Sequence, residues 1–393
     1  MKGLSRLTEN QVVGASGLKL GQMAGEPEFQ QAAQKLGSTG LFTDLTYSYQ
    51  YSGGESDLEF QVKENEKLLP IIFENFVWFS DEDLLTQLRA RIPLFNGRVP
   101  AEGDLTEAVA SALVAILHEH KIAGEVQYLA FAQENGPVQA YEYKVSFHSI
   151  VIRNVDFPGA AQDELPALQA AAKSLAGSDY LRTHMQAQEH FNFLPVYEAR
   201  GYLKAKFADS QARIVEDGGQ TIVDVSCPVT RGGLYKLKSL EFDGDKAVSA
   251  EQLRNLVHLK FGDPANAVEL ADDVEQMQKL YGTKGYLSAA IDPEADMDEA
   301  SGTVTYRMLV TEGELYRMGD LNIDGLPEAN ATRMAAQWQM KKGDPFDNTY
   351  LQKFFSILYR DFDLQRSYAV SSKQAINEQN KSVSVSLHFV AKS

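Results

Sequence analysis

The C-terminal half of the chain repeats itself at a fixed interval of 81 residues. Val229-Thr230-Arg231-Gly232-Gly233-Leu234-Tyr235 returns as Val310-Thr311-Glu312-Gly313-Glu314-Leu315-Tyr316. Phe242-Asp243-Gly244 returns as Ile323-Asp324-Gly325, and Lys260-Phe261-Gly262-Asp263-Pro264 as Lys341-Lys342-Gly343-Asp344-Pro345. Three matches at one offset mark an internal repeat. Such a period restricts the chain to a row of similar small domains, each packed mainly on its neighbours.

The stretch from Thr303 to Gly325 contains the joint between two such units. Val304, Tyr306, Met308 and Val310 alternate with Thr305, Arg307 and Leu309, the pattern of a half-buried strand. Glu312-Gly313-Glu314 interrupts it, Leu321 and Ile323 begin the next strand, and Asp324-Gly325 is a turn signal. The same closing strand recurs as Leu58-Phe60-Val62, Tyr141-Tyr143-Val145-Phe147, Val223-Val225-Cys227-Val229 and Val383-Val385-Leu387-Phe389. From Val62 through Val145, Val229 and Val310 to Phe389 the steps are 83, 84, 81 and 79 residues. Length alone suggests two to four domains; the period gives five repeats, over 1–66, 67–148, 149–231, 232–313 and 314–393.

Within a repeat the order reads strand, helix, helix, strand, strand. In the fourth, Ser249-Ala250-Glu251-Gln252 is a capping box, followed at helical spacing by Leu253, Leu256, Val257 and Leu259. Gly262-Asp263-Pro264 breaks that helix, and a second carries Val268, Leu270, Val274, Met277 and Leu280. In the second repeat, Ser80 caps a helix with Leu84, Leu85 and Leu88, and a longer one starts near Asp104 and runs through Val109, Leu113, Ile116 and Leu117. In the first repeat only Met1 and Lys2 precede Gly3, so its opening strand is expected to be missing or shortened, with native sequence continuing upstream.

The formal net charge of −17 argues against a nucleic-acid partner, whose phosphates need a basic face. It also opposes a broad electrostatic grip on anionic lipid, and solubility accounts for it. Cys227 is the only cysteine, so an intramolecular disulfide is excluded; its place among alternating valines predicts a buried, inert thiol. No run approaches the roughly 20 apolar residues of a membrane-spanning helix, and MKGLSRLTENQ has no apolar segment of a signal peptide.

The order and length of these repeats resemble the polypeptide-transport-associated (POTRA) domain. Gly285-Tyr286, Glu312-Gly313, Leu315-Tyr316 and Gly325 carry the resemblance, with weaker versions at Gly201-Tyr202, Gly232-Gly233-Leu234-Tyr235 and Gly244. Five tandem copies are similar to the periplasmic arm of the BamA family of outer-membrane assembly factors, TamA-like relatives included. The resemblance implies an α+β fold: tandem βααββ repeats in an extended array, each a three-stranded mixed sheet covered on one face by two helices. It also implies a periplasmic location at the outer membrane of a diderm bacterium. The implied partners are unfolded outer-membrane protein clients and accessory periplasmic lipoproteins or chaperones. Family members normally continue into a C-terminal β-barrel, whereas this sequence stops at Ser393. A two-partner-secretion or TamA-like transport arm, a barrel-less periplasmic spacer and an enzyme with a site between repeats are the alternatives.

An open sheet edge offers unpaired N–H and C=O groups to which an extended client can add a strand. In the resembled family the second strand lies at that edge, here about 43–49, 125–130, 204–208, 287–291 and 367–370. Thr43, Leu45, Tyr47, Tyr49, Lys204, Lys206, Leu287, Ile291, Tyr368 and Val370 are the candidate partner-binding residues. Gly232, Gly233, Glu312 and Gly313 are the candidate joint residues, with hinges or tight packing expected at Gly232 and Gly313. Tyr47, Tyr49 and Tyr51 alternate with Ser48 and Gln50 and are assigned to packing on one strand face.

No catalytic, cofactor-binding or metal-ligating residue is assigned, and a non-enzymatic scaffold is expected. His118 and His120 stand two apart and would point about 200° apart on a helix; His184 and His190 are six apart, also poor geometry for one ion. The acidic run Asp292 to Glu299 lacks the ligand spacing and central glycine of a calcium loop and is read as a solvated hairpin turn. No nucleophile motif, phosphate loop or dinucleotide fingerprint is present.

Overall fold

A computed structural model describes residues 1–53, 55–132, 136–244, 246–361 and 368–392. The first stretch forms α1 (Glu9–Ser16), α2 (Glu26–Ser38), β1 (Phe42–Ser52) and β2 (Glu55–Glu64). Next come β3 (Leu68–Phe73), α3 (Asp81–Arg91), β4 (Arg98–Pro100), α4 (Leu105–Glu119), β5 (Glu125–Ala132) and β6 (Val138–Ser146). They are followed by β7 (Ile150–Asp156), α5 (Leu165–Ala172), α6 (Arg182–Gln188), α7 (Leu194–Glu198), β8 (Lys206–Phe207), β9 (Gln211–Asp217), β10 (Thr221–Ser226) and β11 (Val229–Thr230). The remaining elements are β12 (Lys236–Asp243), α8 (Ala250–Arg254), α9 (Ala267–Thr283), β13 (Ala290–Asp298), β14 (Thr303–Thr311), β15 (Arg317–Asp324), α10 (Glu328–Gln337), α11 (Tyr350–Asp361), β16 (Tyr368–Asn377) and β17 (Ser382–Ala391).

The chain divides into two compact units, one of Met1–Phe193 with Phe207–Thr230, the other of Leu194–Lys206 with Arg231–Ser393. In the first unit the sheets run β1-β2, β4-β3-β6-β5 and β7-β10-β9. The third of these has the expected mixed form, β10 pairing parallel with β7 and antiparallel with β9. The other two differ from it. The opening strand of the first sheet is reduced to one parallel bridge, Lys2 to Gln61, in which the Lys2 N–H donates to Phe60 O at 2.9 Å. The second sheet gains β4, which pairs with Leu68–Pro70 at the start of β3. Alternation fills the cores: Phe60 and Val62 of β2, Tyr143 and Val145 of β6, and Val223 and Val225 of β10 are buried. Cys227 is fully buried just beyond β10, and burial pushes its thiol pKa up, in keeping with an inert role.

In the second unit the sheets run β12-β14-β13 and β15-β17-β16, each with its first two strands parallel and its last two antiparallel. The Ser249–Gln252 capping box forms, but α8 ends at Arg254. The backbone then tightens to three-residue bonds, with the Val257 N–H donating to Arg254 O at 3.0 Å, so Leu256 and Val257 pack on the core from a turn. Asn266 caps α9, whose Leu270, Val274 and Met277 are buried. The acidic run departs from its reading as a turn: Asp292 to Asp298 are part of β13, paired with Leu309 to Thr303. The turn comes after it, where Asp298 Oδ1 accepts the Ala300 N–H at 3.0 Å. Edge position explains the error, because a strand with one neighbour and a wet outer face need not look apolar.

Candidate interaction edges and repeat joints

The middle strand ends the order in every sheet that has three or more strands: β5, β9, β13 and β16 each have one strand neighbour. Three edges lie further along the chain than the sequence placed them. In the third repeat the edge is β9 at Gln211–Asp217, not 204–208, where only the two-residue β8 forms. In the fourth it begins at Ala290, and in the fifth it covers Tyr368–Asn377, while Ser367 lies outside the described residues. The edges at β1 and β5 extend to Ser52 and Ala132.

The named edge residues mostly face inward. Leu45 and Tyr47 pack on the first core; Tyr49 lies 5.3 Å from the Phe29 ring, and Tyr47 lies 6.1 Å from that of Phe60. The packing role holds for these two, whereas Tyr51 is 63% exposed. Thr43 is exposed beside a register shift. Ile291 is buried opposite Val310, and Tyr368 and Val370 are half-buried on the last core. Leu287 precedes β13 and packs on the core of the following repeat, so it is a joint residue. Lys204 precedes β8, pairs with Glu299 and lies 6.0 Å from the Tyr235 ring centroid; Lys206 is exposed in β8.

At the joints, small residues allow backbones to touch. Gly201 and Gly285 have φ of +83° and +93°, and a Cβ on them would come within 2.7 Å of Tyr235 O and 2.5 Å of Tyr316 O. The Tyr235 and Tyr316 N–H groups donate to Gly201 O at 2.9 Å and Gly285 O at 2.8 Å. This pairing explains the recurrence of Gly-Tyr in one repeat and Leu-Tyr at the start of the next. Gly232 and Gly313 also take positive φ, +76° and +73°. A Cβ at Gly232 would meet Lys204 Cβ at 3.2 Å, and one at Gly313 would overlap Ser288 Oγ, so both are tight joints; Gly233 has open space instead.

Glu312 anchors the loop that follows its repeat's opening strand. Its Oε1 accepts the N–H of Lys246 at 2.7 Å, that of Ala247 at 2.6 Å and the Tyr281 hydroxyl at 3.3 Å. Burial alone would raise its pKa, but these donors bring it below the usual range. Glu64 occupies the equivalent place in the first repeat, accepting N–H groups of Ser5 at 2.9 Å and of Arg6 and Leu7 at 3.1 Å. Sequence inspection missed Glu64, although its place two residues after Val62 matches that of Glu312 after Val310.

His120 and His184 have partners of their own. His120 Nδ1 lies 2.9 Å from Ile116 O and its ring 4.9 Å from that of Phe79, while His184 Nε2 lies 3.1 Å from Gln188 Nε2. Among the described residues no three His, Cys, Asp or Glu side chains group to hold a metal ion, and no helix is long and apolar enough to cross a membrane. A polar groove of about 820 Å³ crosses the third sheet, lined by Trp78, Asn154, Asp156, Arg213 and Asp224. Trp78 Nε1 donates to Asp217 Oδ2 at 3.0 Å, and Arg153 donates to Asp224 Oδ1 at 2.9 Å. Both contacts join residues over 70 positions apart in the chain and carry no local signal.

The POTRA family model, described as a surface antigen variable number repeat, matches residues 235–313. A curated relative from Treponema pallidum (strain Nichols), named a putative outer membrane protein assembly factor, is 25% identical over 172 residues, 43% of this chain. The chain spans 20% of the length of that relative over the match. Among solved structures, the BamA POTRA3-5 fragment of Haemophilus influenzae is 20% identical, covers 63% of this chain and 97% of its own, and has a TM-score of 0.46. The N-terminal domain of Omp85 from Thermosynechococcus elongatus is 16% identical, covers 62% and 97%, and has a TM-score of 0.25. Residues 235–313, which fold as strand, helix, helix, strand, strand, thus form a POTRA domain, and the chain that carries it is similar to a relative named as an outer-membrane protein assembly factor.

Proposed function

We propose that this chain is the periplasmic arm of an outer-membrane protein assembly machine. Its five repeats, 1–66, 67–148, 149–231, 232–313 and 314–393, receive client polypeptides by strand addition and dock accessory periplasmic lipoproteins or chaperones. The relative named an assembly factor supports the setting. The observation that carries the mechanism is the middle strand at the end of its sheet, at β5, β9, β13 and β16. Such an edge has backbone donors and acceptors facing away from its neighbour, and an extended client can pair with them with little demand on its sequence. The arm acts as a scaffold, without chemistry of its own.

The test places proline at successive positions along each edge in turn. Proline removes the ladder donor, and two successive sites include one whose N–H points outward. Capture of an urea-unfolded outer-membrane protein by the full chain is then measured. Loss of capture at one or more edges is the expected result. Full capture by every variant overturns strand addition as the route of capture, and no capture by the unaltered chain leaves a spacer that carries no client.

A further inference from the structure

The edges differ in what their outer faces present. Registers with the neighbouring strand separate residues facing the core from those facing away. On β1 the outward residues are Asp44, Thr46, Ser48 and Gln50, opposite Lys63, Gln61, Glu59 and Asp57. On β9, Arg213 is outward and bonded to Asp224. On β13 the outward row is Asp292, Glu294, Asp296 and Asp298, and Pro293 interrupts the donors. On β16 it is Ala369, Ser371, Lys373 and Ala375. Charge, polarity and proline at these edges are the usual defences against unwanted pairing.

β5 lacks them. Val126, Tyr128 and Ala130 face the core opposite Val145, Tyr143 and Tyr141. Gln127, Leu129 and Phe131 face away, and Leu129 is 69% and Phe131 42% exposed. From Val126 to Ala132 the strand carries no charge and no proline. Two large apolar side chains thus stand side by side in water on the outer face of an edge strand.

We propose that β5 is the edge on which this chain takes up extended polypeptide, and that it selects segments with apolar side chains at every second position. The proposal rests on the strand-addition reading above and narrows it to one edge and one class of segment. A strand added to β5 places alternate side chains on the outer face, next to Leu129 and Phe131, which are about 7 Å apart along the strand. Only an alternating segment fills those places with apolar groups while keeping its other residues polar. Strands of transmembrane β-barrels alternate in this way over about 10 residues. A second copy of this chain is a poorer occupant, because two chains of net charge −17 repel each other.

The test uses the full chain and two fluorescent ten-residue peptides of one composition, one alternating Leu or Tyr with Ser or Thr, the other with its apolar residues in a block. Anisotropy reports affinity, and a photocrosslinker placed in turn at Gln127, Arg213, Ser48 and Ser371 reports the edge. The expected result is tighter binding of the alternating peptide, crosslinking at position 127, and roughly tenfold weaker binding to Leu129→Thr/Phe131→Thr, in which threonine keeps strand propensity. Equal binding of the two peptides overturns the selectivity. Crosslinking at another edge, or proline there abolishing binding while the double threonine variant binds normally, overturns the choice of β5 and leaves strand addition standing. Binding that no edge variant changes overturns both. Dimerisation in sedimentation that the double substitution abolishes, with no peptide bound, makes a second copy the occupant and overturns the proposal. Crosslinking on the otherwise unaltered chain answers the question even if a variant misfolds.

Discussion

A Cβ added at Gly244 would overlap the carbonyl oxygen of Val310, the residue that marks the end of its repeat's closing strand. The same relation holds between Gly3 and Val62, Gly159 and Val229, and Gly325 and Phe389, each glycine at φ between +78° and +90°. In the second repeat Asn75 makes the link with its side chain: Nδ2 donates to Val145 O at 3.1 Å, and Oδ1 accepts the Val145 N–H at 2.8 Å. The glycine therefore serves two needs, a left-handed backbone and a contact too close for a side chain. Gly343 separates them, with φ of +93° and nothing within 4 Å. Gly343→Ala should cost about 1–2 kcal/mol from backbone strain alone, and Gly244→Ala should cost at least about 1 kcal/mol more. Urea midpoints of the two variants decide it; equal losses would remove the contact as a cause.

Glu64 should make the first repeat acid-sensitive. Burial opposes its charge, but the N–H groups of Ser5, Leu7 and Arg6 and the Arg6 side chain outweigh that and hold its pKa down at about 2. The folded value lies below the unfolded one, so the stabilisation is complete above about pH 4.5 and is lost as pH falls through 2. It amounts to about 3 kcal/mol. Glu64→Gln should destabilise the repeat at pH 7 and make the protection of the Ser5, Arg6 and Leu7 amides, their exchange relative to that of an unfolded chain at the same pH, nearly independent of pH between 4.5 and 2. If the variant loses as much at pH 2 as at pH 7, the charge is not what holds the loop.

Phe147 stands where Glu64 and Glu312 stand in their repeats, two residues past the closing-strand marker. It has φ of +58° and is 82% exposed. A bulky residue in the left-handed region is strained, and Asn tolerates that region better. Phe147→Asn should stabilise the second repeat by up to about 1 kcal/mol. A thermal midpoint that stays or falls would show that the ring contributes packing that outweighs the strain.

The closing strands were legible, except that Phe147 lies beyond β6 and is exposed, because each lies between two neighbours or under helices and alternation is enforced along it: Val304, Tyr306, Met308 and Val310 are all buried. The edge strands were not. Ile-Asp-Pro-Glu-Ala-Asp-Met-Asp in β13 and Gln-Ala-Arg-Ile-Val-Glu-Asp in β9 are solvated on the outer face and along one side, and little selects their composition. Choosing apolar residues near the expected edge therefore picked inward ones, Ile291 and Val370, and a joint residue, Leu287. Gly-Tyr and Leu-Tyr were visible as motifs, but their meaning required the Tyr316–Gly285 backbone bond. The outward Leu129 and Phe131 carried a sequence signal, an apolar residue on the wrong parity of a strand, which registers only once Val126 and Tyr128 are known to face the core.

Glu189 should act on stability with the opposite sign to Glu64. It opens a wide helical turn, Glu189–Phe193, and is 9% exposed. Among the described residues its Oε1 has no hydrogen-bond partner. Burial raises its pKa to about 6, with a smaller rise from Asp209, and the Cys227 thiol offsets part of this by donating to the carboxylate. The folded value exceeds the unfolded one of 4.5, so the protonated acid favours folding below about pH 4.5 and that favour is lost as pH rises through 6. Above pH 6 the buried charge costs about 2 kcal/mol. Glu189→Gln should therefore stabilise the third repeat by about that amount at pH 7.5 and have little effect at pH 4. Cys227→Ala, which removes the donor, should move the transition to higher pH. Measured urea midpoints at the two pH values test both; a Glu189→Gln effect of equal size at pH 4 and pH 7.5 would mean that lost packing, not charge, sets the stability here.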